Sequence, residues 1–427
     1  LGDVYKRQTW ECRPCNVVGT GYFANSGGRS AFLVLRDEVP GSDGPVVDLV
    51  VWGNRYYAGV MDGTAARVDN AVEATAGLDS FVVRLRDGNV IYWQRDYATR
   101  VIEGECDLLS SGRLSHVGRN TNGELFAWDS NGTPLRIPED IQQYTDYMEL
   151  CSSSYATAAL RATGHIVAWG DREEGGQLLE GQDKLNDITT IASSSRAFAA
   201  LRVNAGSRKV IAWGNPEAGG IAPDEITRLD NVERIAAATF NAFCILLQTG
   251  EIKAWPDNNV GGAIPEEIAQ LSNIVDVSAT RYAFCALLDN GKVKAWGDKL
   301  SGGQLTLEVA ERSDIVQVVG TSVAFAALCS DGTVVAWGNL QSGGDTRPVA
   351  GELVNVVAIY GNCCAFCALT SDGRVVTWGE AAGGGDSKTV QPQLNGKVTA
   401  RRLLPSAEAE AVNTIGQSGV PEAETNR

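Results

Sequence analysis

The chain has 427 residues, 44 % of them hydrophobic, with a formal charge of −16 and a pI near 4.7. That is ample apolar material for a folded core, and no run of about 18 apolar residues offers a transmembrane helix. The acidic balance argues against a nucleic-acid backbone as the main partner, because such binding rests on clustered Lys and Arg. A basic protein surface suits it better, although solvation alone also accounts for the charge.

Residues 1–8, LGDVYKRQ, lack an initiating methionine and read as translated adapter sequence. They are set aside as a non-native leader, and a signal peptide could have been lost with the true start. Residues 9–30 hold Trp10, which stands 42 residues before Trp52, and are expected to be a partial repeat. The chain is therefore expected to be a fragment of a longer one. Cys12 and Cys15 have no second ligand pair nearby, so they do not make the four-ligand set of a structural zinc site.

From 31 to 385 the sequence repeats. Tryptophans stand at 52, 93, 128, 169, 213, 255, 296, 337 and 378, with gaps of 41, 35, 41, 44, 42, 41, 41 and 41 residues. A fixed period of this size marks a repeat architecture. The unit is clearest over 274–303: NIVDVSA, TRY, AFCALL, DNG, KVKAWG, DKLSGG. Ile274, Val275 and Val277 indicate a first strand, Ala283 to Leu288 a second and Lys292 to Trp296 a third. Asp289-Asn290-Gly291 closes the hairpin, because Asn and Gly tolerate the positive φ of a tight turn. AFCILLQTGEIKAWP, AFAALCSDGTVVAWG, AFCALTSDGRVVTWG and ATAALRATGHIVAWG repeat this grammar. The second strand has no polar side, so both of its faces should be covered, as when sheets stack radially. The expected fold is all-β, a β-propeller of about nine tandem repeats of about 41 residues. The short gap before Trp128, and the loss of paired glycines there, place the irregular blades around Trp52 to Trp128.

In these residues the sequence resembles the regulator of chromosome condensation repeat family, and also the bacterial beta-lactamase inhibitor that shares its propeller. The likeness lies in the small-residue and leucine strand, the D-G turn, the Val-x-Ala-Trp-Gly strand and the glycine element of WGDREEGGQL and WGDKLSGGQL. It covers roughly 30–385. The period is shorter than usual for that family, the histidine often found before the second strand is absent, and nine copies exceed seven blades. The resemblance implies the fold and does not by itself carry the function.

Residues 386–427 form a terminal segment that loses the repeat and, from about Ala400, reads as a flexible tail. Cys244, Cys285 and Cys367 each precede a repeat tryptophan by eleven residues, where other copies have Ala158 and Ala326, so they read as small buried residues. That usage favours a reducing, cytoplasmic setting. No cofactor or metal is expected. His116 and His165 are the two histidines, and neither recurs beside a nucleophile, so no enzyme is expected. Asp331 and Asp372 are turn formers. The pairs Gly175-Gly176, Gly219-Gly220, Gly261-Gly262, Gly302-Gly303 and Gly343-Gly344 lack the Lys-Ser/Thr of a phosphate loop and read as bends between blades.

Function is then expected on a surface. Strand direction puts the linker before the second strand and the loop after Trp-Gly on one face, with the D-G turns on the other. Both of the former vary between copies while the strands do not. The expected function is a non-enzymatic protein-binding scaffold, with Tyr155, Arg172, Glu173, Arg196, Phe240, Asn241, Arg281, Tyr282 and Lys299 exposed on that face. The alternatives are an exchange factor for a small GTPase, which would use a protruding wedge at 37–44 or 202–209, and a propeller hydrolase or carbohydrate-binding module.

Overall fold

The computed structural model describes residues 17–19, 31–35, 49–54, 71–76, 80–85, 87–94, 100–102, 106–112, 115–129, 132–256 and 261–394. Trp10, Cys12, Cys15, the 37–44 loop and the tail from 395 lie outside them. Among the described residues the chain forms nine antiparallel sheets, blades 1 to 9, spanning 17–53, 71–102, 106–135, 147–170, 188–214, 232–255, 274–297, 315–338 and 356–379. Blades 2 and 3 have four strands and the others three. Val17–Gly19 pairs with Ala31–Leu35, so the first blade draws its first strand from the stretch read as a partial repeat.

Blade 7 shows why this sequence stacks. Its strands are Ile274–Ala279, Ala283–Leu288 and Val293–Gly297, and every residue of the middle strand is buried. Side chains alternate across a strand. Ala283, Cys285 and Leu287 pack on Ile315, Val318 and Phe325 of blade 8, while Phe284 and Ala286 pack on Cys244, Leu246 and Ile252 of blade 6. A strand apolar on both sides is thus satisfied only between two neighbours.

The first strands of successive blades lie side by side, and Val17–Gly19 meets both Ala71–Ala76 of blade 2 and Val356–Gly361 of blade 9. The fold is a β-propeller whose contacts run through nine blades and return to the first. Each sheet takes its strands from one consecutive stretch of chain. Blade 9 therefore meets blade 1 through side-chain packing of Cys367, Leu369 and Val375 on Phe32, Val50 and Trp52. Asn362 Nδ2 adds hydrogen bonds to Ala31 O at 3.4 Å and Gly383 O at 2.8 Å.

One contact recurs at six joints. The indole N–H of Trp52, Trp213, Trp255, Trp296, Trp337 and Trp378 donates to the carbonyl of Gly384, Gly175, Gly219, Gly261, Gly302 and Gly343 respectively, at 2.8–3.1 Å. Each glycine belongs to the preceding blade, and for Trp52 that blade is the ninth. A phenylalanine across the hairpin completes the contact: Phe325 stacks on Trp337 at 5.3 Å between centroids. Gly302 has φ +93°, and a Cβ there would lie 2.7 Å from the Phe325 ring, so no larger residue fits. The glycine pairs do bend the chain between blades. They also supply the acceptor and the space that the next blade's rings occupy.

Among the described residues, irregular joints fall at Trp128 and Trp169, while blade 1 proves regular through Trp52; the Trp93 side chain lies outside them. In blades 3 and 4 the residues opposite the tryptophan are His116 and Thr157 instead of phenylalanine. The Trp128 indole nitrogen is buried without a partner among the described residues. The loop after Trp93 carries no glycine pair, and His116 stands where other blades have the phenylalanine.

On the turn face, the first residue of an inner strand donates to the hairpin glycine of the preceding blade, as Ile274 to Gly250, Ile315 to Gly291 and Val356 to Gly332. Residues 202–209 do not project as a wedge. They lengthen the blade 5 hairpin to strands Ala197–Asn204 and Ser207–Gly214, and Arg208 Nε reaches Val232 O of blade 6 at 2.7 Å.

Trp337→Phe keeps a ring but strands the Gly302 carbonyl, and should cost about 1–3 kcal/mol; Trp337→Ala should cost about 3–5 kcal/mol. Trp128→Phe removes a donor with no acceptor and should cost less than Trp337→Phe. Urea unfolding of the three variants checks the order, and equal losses for the two phenylalanine variants would refute the role given to the indole bond.

Candidate functional site

In blades 4 to 8 the linker before the middle strand is stitched to the next blade through main-chain groups, and the Ser195 hydroxyl adds a bond to Phe240 O at 2.6 Å. Ser154 N donates to Ser195 O, Ser195 N to Phe240 O, Phe240 N to Arg281 O, Arg281 N to Ser322 O and Ser322 N to Cys363 O, at 2.9–3.2 Å. These residues lie in the linkers that vary between copies in the sequence. Their side chains can differ because the stitch uses only N–H and C=O, which every residue but proline carries.

The loops after Trp-Gly lie on the same face. Asp171 N bonds Tyr155 O, Asn215 N bonds Arg196 O and Asp298 N bonds Tyr282 O, at 2.9–3.0 Å. Each of these loops begins as a short 3-10 turn ended by a glycine of positive φ. In Arg172–Glu174 the Asp171 carboxylate caps the turn by accepting from Glu173 N at 2.9 Å.

The nine residues expected on this face divide. Tyr155 is 41 % exposed, and Arg172, Glu173 and Lys299 are exposed at loop tips. Phe240, Asn241 and Tyr282 are half-buried. Arg196 is half-buried and tied to Glu174 of the preceding blade by two bonds of 2.6 Å, and this pairing raises its pKa despite some desolvation. Glu174 went unnoticed in the sequence because one charged letter in a variable loop carries no signal of its partner in the next repeat.

Arg281 departs from expectation. It is 9 % exposed, with its guanidinium carbon 4.2 Å from the Phe240 ring centroid and 5.1 Å from that of Tyr282. The two rings meet edge-on at 6.4 Å. A guanidinium is attracted to aromatic faces and loses little by leaving water there. Beside this cluster opens a cavity of about 270 Å³, walled by the ends of the innermost strands of blades 3 to 7. Ser110, Ser152, Ile191, Ile235, Thr239 and Phe240 line it together with Arg281. Small residues ending the first strands were the one sequence signal for this hollow.

Burial holds the His116 pKa down, from 6.5 to about 4, while Asp129 pulls weakly the other way. Its ring stands between Tyr92 and Trp128, with Nδ1 2.9 Å from Ser111 Oγ. Burial likewise raises the pKa values of the Cys244, Cys285 and Cys367 thiols, keeping them protonated. Asp372 is lowered to about 2 by bonds from Thr370 and Arg374 within its turn. Among the described residues Asp314, Cys329 and Asp331 bring metal-type ligand atoms within 4.8 Å of one another. Arg312 already stands 2.7 Å from Asp314 and 3.7 Å from Asp331, supplying the positive charge there.

The repeat over residues 274–302 matches the model of the regulator of chromosome condensation (RCC1) repeat. No curated protein matches the chain. Among solved structures, yeast RCC1 (Prp20) bound to Kap60 is similar at 15 % identity and a TM-score of 0.43, over 76 % of this chain and 90 % of that one. Prp20p from Saccharomyces cerevisiae, in a structure described with its binding to Gsp1p and histones, gives 16 %, 0.42, 79 % and 84 %. The receptor kinase CR4 ectodomain of Physcomitrella patens gives 15 %, 0.41, 66 % and 73 %. The chain thus resembles the RCC1 repeat family, and its propeller architecture stands on its own sheets and joints. No helix among the described residues is long and apolar enough to cross a membrane.

Below pH about 6.5 the unfolded chain takes up a proton that folded His116 refuses until about pH 4, so stability is complete above this window and falls through it. The shift corresponds to about 3 kcal/mol. His116→Phe, which installs the residue found opposite tryptophan in seven other blades, should flatten the loss between pH 6.5 and 5. Melting temperature against pH for both proteins checks this.

Proposed function

We propose that the protein is a non-enzymatic scaffold that binds another protein through the face carrying the linkers and Trp-Gly loops. The observation that supports it most is the backbone stitch from Ser154 to Cys363, which holds a row of differing side chains in fixed positions. A rigid frame with varied side chains lowers the ordering cost of association. Tyr155, Tyr282, Arg172 and Lys299 supply the aromatic and cationic groups that dominate many interfaces. The charge of −16 favours a basic partner surface over a nucleic acid, and buried, protonated thiols suit the cytoplasm.

Tyr155→Ala and Arg172→Ala leave the stitch intact, whereas Arg281→Ala or Tyr282→Ala would unpack the Phe240 cluster. With a cross-linked partner in hand, the first two together should weaken binding by at least about 30-fold, as for an interface anchor, with melting temperature nearly unchanged. Retained binding that is lost instead on Asp331→Ala would place the interface on the turn face. Nucleotide-exchange assays on small GTPases test the exchange-factor alternative, and release of nucleotide would replace this reading.

A further inference from the structure

Blade 4 ends where its neighbour continues. In blades 2 and 3 a fourth strand closes the outer edge, and Ala127 of blade 3 pairs with Leu135 there. Blade 4 stops at its third strand, Ile166–Gly170. Hydrogen-bonded and non-bonded pairs alternate along an antiparallel ladder. The hairpin bond from Arg161 N to His165 O makes the next pair, Leu160 with Ile166, non-bonded, and Ala158 with Ala168 likewise. The N–H and C=O groups of Ile166 and Ala168 therefore point away from the sheet, and among the described residues no bond from another element reaches them. In blades 5 and 9 a glutamine covers a corresponding carbonyl: Gln182 Nε2 donates to Ala212 O at 3.0 Å, and Gln391 Nε2 to Val375 O at 2.8 Å.

This open edge lies in a groove of about 980 Å³, lined by Ile166, Val167 and Ala168 together with Tyr144 and the exposed Leu179 and Ile221. Its charged lining sets Asp140, Glu173, Glu180 and Asp183 against Arg161 and Arg172. Arg161 is already matched by Asp146 at 2.8 Å and stacks on the Tyr144 ring, so the groove keeps a negative excess.

We propose that this groove binds an extended basic segment of another protein as the fourth strand of blade 4. Its main chain pairs with Ile166 and Ala168, Leu179 and Ile221 offer apolar contact, and its Lys or Arg side chains meet the carboxylates. Pairing to an open sheet edge supplies affinity, and the alternate side chains supply specificity. Exposed ion pairs contribute little each and weaken with salt, so charge selects the segment more than it holds it. The groove follows the outermost strand of the blade and shares only Arg172 and Glu173 with the nine residues assigned to the linker and Trp-Gly loop face, so the inference goes beyond the function proposed above.

The probe is fluorescein-labelled Lys-Val-Lys-Val-Lys amide, followed by fluorescence anisotropy with the full chain at low ionic strength. It should bind saturably and more weakly as salt is added. The same peptide N-methylated at every backbone amide, and its analogue with glutamate for lysine, should each bind at least about tenfold more weakly. Glu180→Lys combined with Asp183→Lys, both at exposed loop positions, should weaken the lysine peptide by at least about tenfold with melting temperature nearly unchanged. Ala168→Pro, of a kind that edge strands tolerate, removes an outward N–H and should weaken binding as well. If Ala168→Pro does not fold, the methylated peptide and the charge-reversed variant decide. Equal binding of the parent and methylated peptides, binding indifferent to the charge reversal, or no saturable binding overturns the proposal.

Discussion

The indole-to-glycine bond between blades is the contact on which the architecture depends. Sheets stacked face to face share no ladder hydrogen bonds, so apolar packing alone would leave their relative tilt loosely set. A directional bond from Trp337 to Gly302, with Phe325 stacked against the same indole, fixes both distance and angle. The glycine must accept the bond and leave room for the ring, which explains why it lies in a turn of positive φ. Three residues from two consecutive repeats therefore act as one unit, and at the 2–3 joint Trp128 stands without the phenylalanine and the glycine pair.

The two rims solve the same problem by different means. On the turn face a hairpin glycine carbonyl receives the next inner strand. On the other face the linkers join one another through main-chain groups. Side chains of the first strands add a third set of ties: Arg234 reaches Asp276 at 2.6 Å, and Gln317 exchanges bonds with Ile359 N and O at 3.3 Å. Because the linker ties ignore side-chain identity, that face can accept substitutions without loosening the frame. This separation between what holds and what is displayed is the physical basis for assigning binding there.

Much of the fold was legible because its determinants are local and repeated. The Trp period, the D-G hairpins and the wholly apolar middle strand each require only a few neighbouring residues, and Ala283–Leu288 was placed to the residue. The clasp was less legible because its partners stand about 35 residues apart and belong to different blades, so glycine pairs read as bends alone. Arg281 illustrates the limit for the site. Its neighbours in sequence suggest exposure, whereas burial comes from Phe240, one repeat earlier, brought alongside by the stitch. His116 carried a readable sign, since alignment of the hairpins sets it where phenylalanine otherwise stands.

Blade 9 and blade 1 meet through the same indole bond, ring stack and apolar packing found at interior joints, with Asn362 added. The place where the described chain returns on itself is therefore not the weak point of the circuit. Blades 2 and 3 are joined by covalent continuity but show, among the described residues, no acceptor for Trp128 and hold a histidine that resists charge. A ring under thermal or mechanical load yields at its least-tied joint. Opening should thus begin inside the chain, between consecutive repeats, leaving the distant seam engaged and the seven blades joined by the six indole clasps moving as one arc.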